Sequence, residues 1–429
     1  MSKLLRRPGR PARRFWWRAM APALVVGVCL SWALTAGAAQ TTARAGQPAT
    51  TARAVQPPTT AGTAGGIRTT ALAVQLATTA RAVYTSDGRE HIDYDLVITN
   101  AFTAPVTLQS IQVRGAGRVL LTLRGRALAA HTSSTLFGTS PTATIPVSST
   151  VKTLIDVRLP RSFGRTWPSR LTHVIRYRLP SSAPDRTAIA TTAVRAPTIQ
   201  VSRRAPIQIA PPVRGSGWID ANGCCDDPMS PHRTLLLPTN GSYRTPEIFA
   251  IDWIRVVHGR YFTGAGSKLT DYPYYGTPIH AVASGVVVSA INNRPQVPPN
   301  TSTADNRTLH NPADYSGNSV IERIARGVYA TYAHMQTGSV RVKAGQRLRT
   351  GEVIGLLGNS GNTTAPHLHF GIVDRADFFS NSLPFAFKSF TVQGIATPGP
   401  KPGTIKIIGK PHRVTQAEPL INTVNNLGR

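Results

Sequence analysis

Between Val83 and Val201 the apolar residues fall on every second position. Ile92, Tyr94, Leu96 and Ile98 alternate with His91, Asp93, Asp95 and Val97, and Ile155, Val157 and Leu159 repeat the pattern, as do Ile175, Tyr177 and Leu179. A two-residue period means an extended chain with one apolar face. The runs are short and are separated by turn-forming stretches such as Asn100-Ala101-Phe102-Thr103-Ala104-Pro105. This predicts a β-sandwich over residues 83–201. Helix-type periodicity is nearly absent from residues 206–395 as well. That stretch holds the β-prone runs Val286–Ser289, Ser319–Ile324, Val328–His334, Val353–Leu357 and Leu368–Val373. The expected fold is all-β, with a second, mostly antiparallel domain, and 429 residues leave room for two domains.

The flanks read differently. Seven Lys and Arg precede residue 19 with no acid among them, an apolar run from Ala19 to Leu34 follows, and Ala36-Gly37-Ala38-Ala39 ends it. This reads as a signal peptide over residues 1–39, and its apolar run is short for a membrane span. Either general or twin-arginine export fits. Cys29 lies in the apolar run without a convincing lipobox. Residues 40–82 repeat Thr-Thr-Ala-Arg-Ala at Thr41, Thr50 and Thr78, lack large apolar residues, and are expected to form a disordered linker. Residues 396–429 read as a Pro/Gly-rich tail whose apolar patch, Leu420 to Val424, packs back on the domain. Of the formal charge of +29, seven charges leave with the signal segment, so +22 remains on the mature chain. Such a protein is drawn to anionic wall polymers or membrane faces, and a generally Arg-rich composition is the plainer reading. The basic residues are scattered and the chain is read as exported, so no nucleic-acid partner is expected. Membrane contact is expected only through an uncleaved signal segment. Cys224 and Cys225 are adjacent, and are read as an oxidised pair or as two thiols, in a turn near the site.

His367-Leu368-His369-Phe370 carries the chemistry. In a strand, residues i and i+2 share a face, so both imidazoles point one way while Leu368 and Phe370 face the core. Nitrogen donors on one face suit a zinc ion with one position left for water. Upstream come Tyr332-Ala333-His334, Ala250-Ile251-Asp252-Trp253, Gly276-Thr277-Pro278, Gly317-Asn318 and Gly351-Glu352-Val353-Ile354-Gly355. In this order the set resembles the lysostaphin-type (LytM-like) zinc metallopeptidases of peptidoglycan, over roughly residues 206–390, while Tyr94–Asn100 followed by Pro105-Val106-Thr107-Leu108 resembles immunoglobulin-like accessory domains of bacterial surface proteins.

The resemblance implies a role for each matching residue. Asp252 and His369 match zinc ligands, with one zinc per chain. His367 and His334 match two histidines beside the metal-bound water, serving as general base and transition-state stabiliser. Asn318 matches an asparagine that either binds substrate or holds a turn. One position departs from the pattern. Where the family has His-x-Gly-x-Asp, this chain has Ile248 and Ala250. Candidates for the third ligand are His232, Glu247, His258, His280 and His310. A hairpin centred on Asn240 sets His232 opposite Ile248, which makes His232 the first choice and Glu247 the second. His280 reads as structural, and His258 and His310 as loop residues. His91, His131 and His173 read as surface histidines. Two Pro-, Asn- and Tyr-rich insertions, 255–275 and 292–315, are expected to wall a substrate groove. The implied function is a secreted or envelope-associated zinc endopeptidase cutting peptidoglycan stem peptides or cross-bridges. The alternative is a degenerate scaffold that binds wall or regulates another hydrolase.

Overall fold

The computed structural model describes residues 68–134, 140–160, 167–225, 227–228 and 230–428. The signal segment, Cys29 and most of the low-complexity stretch lie outside the described residues. Strands dominate and are paired almost entirely antiparallel.

The N-terminal half is a two-sheet sandwich. One sheet orders Leu72–Leu76, Arg89–Asn100, Thr150–Pro160 and Thr132–Ser133, with Arg81–Tyr84 also paired to Arg89–Asn100. The other orders Ala193–Gln200, Arg170–Arg178, Val106–Gly115 and Arg118–Arg124. Ile92, Tyr94, Leu96 and Ile98 enter one core with Ile111, Ile155, Ile175 and Tyr177. The alternation seen in the sequence is therefore the inward face of these strands. Part of the expected linker belongs here too, because residues 72–76 and 81–84 are strands of the first sheet.

The opposite face of Arg89–Asn100 is not solvated. His91, Asp93 and Asp95 are all buried, and Asp93 and Asp95 meet Arg233 of the second half of the chain. His91 Nδ1 bonds Asp156 Oδ1 at 2.9 Å, and its Nε2 lies 3.4 Å from Asp87. Burial opposes a charge on His91, but Asp156 and Asp87 outweigh it and raise the imidazole to about 10. His173 is also buried, with Nε2 2.7 Å from the Tyr94 hydroxyl. His131 closes the short helix Gly125–His131 by donating to Ala127 O. Two of the three supposed surface histidines are thus buried, because period-two patterning marks which face is polar but not what covers it.

His91 gives a testable consequence. A pKa raised above the unfolded value of about 6.5 stabilises the fold fully below that pH, and the stabilisation fades as pH climbs towards 10. His91→Gln is expected to cost on the order of 3 kcal/mol at pH 6, as for breaking a buried pair. The cost should shrink towards pH 10. Denaturant unfolding of both chains at several pH values measures it, and a pH-independent difference would refute the ion-pair account.

The second half is built on one long sheet. Its order runs Ile207–Ile209, Phe385–Pro398, Thr423–Asn426, Trp218–Ala221, Ile251–Arg255, Leu368–Val373, Val328–Met335, Asn318–Ala325, Gly285–Ile291 and Arg347–Leu348. Residues 396–429 are not a tail. They supply Ile405–Ile408, His412–Ala417 and Thr423–Asn426, all paired with Phe385–Pro398. Here Pro and Gly mark the turn from Gly399 to Thr404, where Gly399 N donates to Thr404 O, and Val424 is wholly buried between its neighbours. Trp253, Tyr332, Leu368, Phe370, Phe385 and Phe387 fill the core beneath the sheet.

Candidate metal centre

Three adjacent strands carry the central residues. Asp252 and His369 are direct partners in the pairing of Ile251–Arg255 with Leu368–Val373, and His369 is opposite Ala333 on the other side. Cross-strand partners project from the same face. His369 Nδ1 accordingly donates to Asp252 Oδ1 at 2.9 Å. His367, two residues earlier, brings Nε2 to 3.4 Å from the same oxygen.

His334 reaches this face by a different route. In a regular strand it would point away, since its neighbour Ala333 is the residue paired with His369. The register shifts here, and His334 has a left-handed backbone with φ of 63°. This irregularity re-aims the ring. Its centroid lies 4.6 Å from that of His367 and 5.9 Å from that of His369.

His232 also belongs to the cluster, but not through a long hairpin. The chain does turn at Asn240-Gly241, yet the paired segments are only Leu237–Thr239 and Ser242–Arg244. His232 sits before them on the one-turn helix Pro231–Thr234, and Ile248 is packed in a separate apolar cluster with Val83, Cys224, Cys225 and Phe249. His232 Nε2 is 3.1 Å from Asp252 Oδ2 and 4.0 Å from Glu247 Oε2. Donor atoms of His232, Asp252 and His369 all lie within 4.8 Å of one another.

Three of the four rings are oriented alike. Nδ1 of His232 donates to Ala250 O, Nδ1 of His334 to Ser360 O, and Nδ1 of His367 to Ala365 O, at 3.0, 2.8 and 2.8 Å. Each keeps Nε2 off the main chain, with those of His232 and His367 turned to Asp252, an arrangement that suits metal ligation or proton transfer. Burial disfavours charge on Asp252, but His232 and His367 outweigh it and hold the carboxyl well below the usual range. Burial likewise opposes charge on His232, while Asp252 and Glu247 raise it to about 9. Burial, with His367 and His369 nearby, pushes His334 well below 6.5. Two nitrogens and a carboxylate, from buried His232 and Asp252 and partly exposed His369, oriented by main-chain, amide or carboxylate partners, form a donor set that fits a catalytic zinc.

Asn318 lies beside the centre but has no free amide. Nδ2 donates to Arg294 O and Met335 O, Oδ1 accepts from Arg294 N, and the side chain is wholly buried. These bonds are what the turn-holding one of its two expected roles requires. Its neighbour Gly317 has φ of 60°, and a Cβ there would meet Ser360 O at 2.3 Å. That carbonyl orients His334, so glycine is required for the close approach. His280 Nδ1 donates to Gly351 O, away from the cluster. Two supporting residues carry no obvious sequence signal. Asn222 Nδ2 donates to Asp252 Oδ2 at 2.8 Å, and Ser360 positions both His334 and Asn318. Cys224 and Cys225, two and three residues after Asn222, are joined as a disulfide. The insertion 292–315 docks beside the centre through Val297 N to Asn359 O and Asn306 Nδ2 to Gly361 O.

Residues 267–380, which include His334, His367 and His369, match Peptidase family M23. The chain carries an M23 peptidase domain. Over 100 residues it is 31% identical to the peptidoglycan DD-endopeptidase ShyA of Vibrio cholerae, covering 23% of this chain and 18% of that protein. Over 95 residues it is 35% identical to the DD-carboxypeptidase/endopeptidase Mpg of Neisseria meningitidis, covering 22% and 17%. The chain thus spans under a fifth of the length of these relatives. Among solved structures, the catalytic domain of the prophage-encoded M23 protein EnpA of Enterococcus faecalis is 19% identical, with a TM-score of 0.24 over 41% of this chain and 93% of that one. His232 and Asp252 lie before the segment matched to the M23 family.

Proposed function

We propose that this M23 protein is an exported zinc metallo-endopeptidase that hydrolyses peptide bonds in peptidoglycan stem peptides or cross-bridges. The observation that carries the reading is the convergence of His232, Asp252 and His369 within 4.8 Å, beside two further imidazoles. The names of the relatives, peptidoglycan endopeptidases, support the substrate class. The positive charge of the chain suits an anionic wall.

His232, Asp252 and His369 would hold the ion. Zinc, when bound, supplies a Lewis acid that polarises a carbonyl and lowers the pKa of water. The chain's own residues handle the protons. His334 and His367 have Nδ1 anchored on main-chain carbonyls, so each works through Nε2. Their rings are 4.6 Å apart, too close for both to be charged together. One neutral ring takes a proton from the attacking water as the other passes its own to the scissile carbonyl oxygen, so one ring of the pair is charged at a time. The proton taken from water then goes to the leaving amine nitrogen as the C–N bond breaks, and the oxygen returns its proton as the carbonyl re-forms. Asn222 and His369 hold Asp252 in place through one bond to each carboxylate oxygen.

The scaffold alternative drew on the isoleucine at 248. With His232 Nε2 3.1 Å from Asp252, it has less to rest on. Purified full-length chain is expected to hold about one zinc, as a three-ligand site does. It should release amino groups but no reducing sugars from peptidoglycan. A folded chain that takes up no zinc, or that holds zinc and leaves peptidoglycan intact, rejects the proposal.

A further inference from the structure

We infer that the N-terminal sandwich is a working part of this centre: Asp93 and Asp95, through Arg233, hold the one-turn helix that carries His232. The inference rests on the proposed role of His232 as a ligand.

The helix Pro231–Thr234 is four residues long. One turn of helix has no stability of its own, because its few bonds do not offset the order they require. Its local ties are slight. Ser230 caps it by accepting from Arg233 N at 3.5 Å, Ser230 Oγ donates to Asn222 O, and Thr234 Oγ1 donates to Pro231 O. The deep tie is Arg233, whose guanidinium is buried, ion-paired with Asp93 and hydrogen-bonded to Asp95 Oδ1 at 2.9 Å. Successive helical residues point about 100° apart. His232 is therefore directed at Asp252 while Arg233 is directed at the sandwich.

The anchor is well made. Asp93 and Asp95 are i and i+2 on one face of Arg89–Asn100, and that strand is paired along both edges. A planar guanidinium spans two such carboxylates in a way that an ammonium does not. The three side chains are each no more than 2% exposed, so solvent does not loosen them. The charged face of the sandwich, unexplained by the sandwich itself, thereby has a partner. A shift of a few tenths of an ångström at Arg233 passes directly to the adjacent His232, and ligand geometry tolerates little of that.

The triple variant Asp93→Asn/Asp95→Asn/Arg233→Gln tests this by removing the guanidinium together with both of its carboxylates. Zinc affinity of the full chain, measured by competition with a chromophoric chelator, is expected to fall about 10- to 100-fold, the range for losing an outer-shell partner. Excess zinc should restore peptidoglycan hydrolysis. Ile111→Ala, in the sandwich core on the sheet that does not carry Asp93 and Asp95, is the control. It should lower the melting temperature while leaving zinc affinity unchanged. Wild-type affinity in a folded triple variant overturns the inference, and so does an equal loss in Ile111→Ala. If the triple variant does not fold, Asp95→Asn alone decides, with a severalfold weakening expected and an unchanged affinity fatal. A wild-type chain without zinc would reject the proposed function itself, whereas zinc held equally by wild type and triple variant rejects only the role of the sandwich.

Discussion

His367→Ala is expected to slow peptidoglycan hydrolysis by about 10²- to 10⁴-fold, the range for removing a positioned acid–base group. Zinc content should stay at the wild-type level. The prediction follows from position: His367 Nε2 lies 3.4 Å from Asp252 and its ring 4.6 Å from His334, yet it is not one of the three clustered donors. Its Nδ1 lies 2.8 Å from Ala365 O and 3.2 Å from Thr363 Oγ1, so the alanine variant loses these orienting contacts. His334→Ala should give a loss of similar size, and the double variant little more than the larger single loss, because the two rings serve one proton transfer. Amino-group release from peptidoglycan and zinc analysis on the same preparations measure both quantities. A rate within tenfold of wild type would remove His367 from the mechanism. Simultaneous loss of zinc would make it a ligand instead.

His232→Ala is expected to weaken zinc binding at least 100-fold, beyond the 10- to 100-fold typical of losing an outer-shell group. His369→Ala should do the same, and His280→Ala should not. The donor set has only three members, so any loss leaves two, too few for a stable hydrolytic site. His280, by contrast, bonds Gly351 O outside the cluster. Glu247 is the competing donor, at 4.0 Å from His232 Nε2. Chelator competition on the three alanine variants and on Glu247→Ala separates the readings. If His232→Ala keeps its zinc and Glu247→Ala loses it, the carboxylate is the ligand. Circular dichroism should show an unchanged β-rich fold in each.

Much of this protein is legible in short-range sequence pattern. The alternation at Ile92, Tyr94, Leu96 and Ile98 marks one inward face of a strand, and these residues do enter one core. His367 and His369 share a face for the same reason, and Asp252 joins them because the two strands pair in register. Such statements need only the two-residue period of an extended chain. Other features were not readable that way. His334 reaches the cluster through a left-handed backbone and a register shift, which no alternation encodes. Residues 396–429 look like a tail by composition, yet their strands find partners along Phe385–Pro398. His232 was singled out by a hairpin that does turn at Asn240-Gly241 but is far too short to reach it, and it arrives instead on a helix tied to the sandwich. Which residues share a face follows from local backbone geometry and can be read along the chain. What covers each face depends on segments far apart in sequence, so nothing near Asp93 and Asp95 announces that they are buried against Arg233, next to His232.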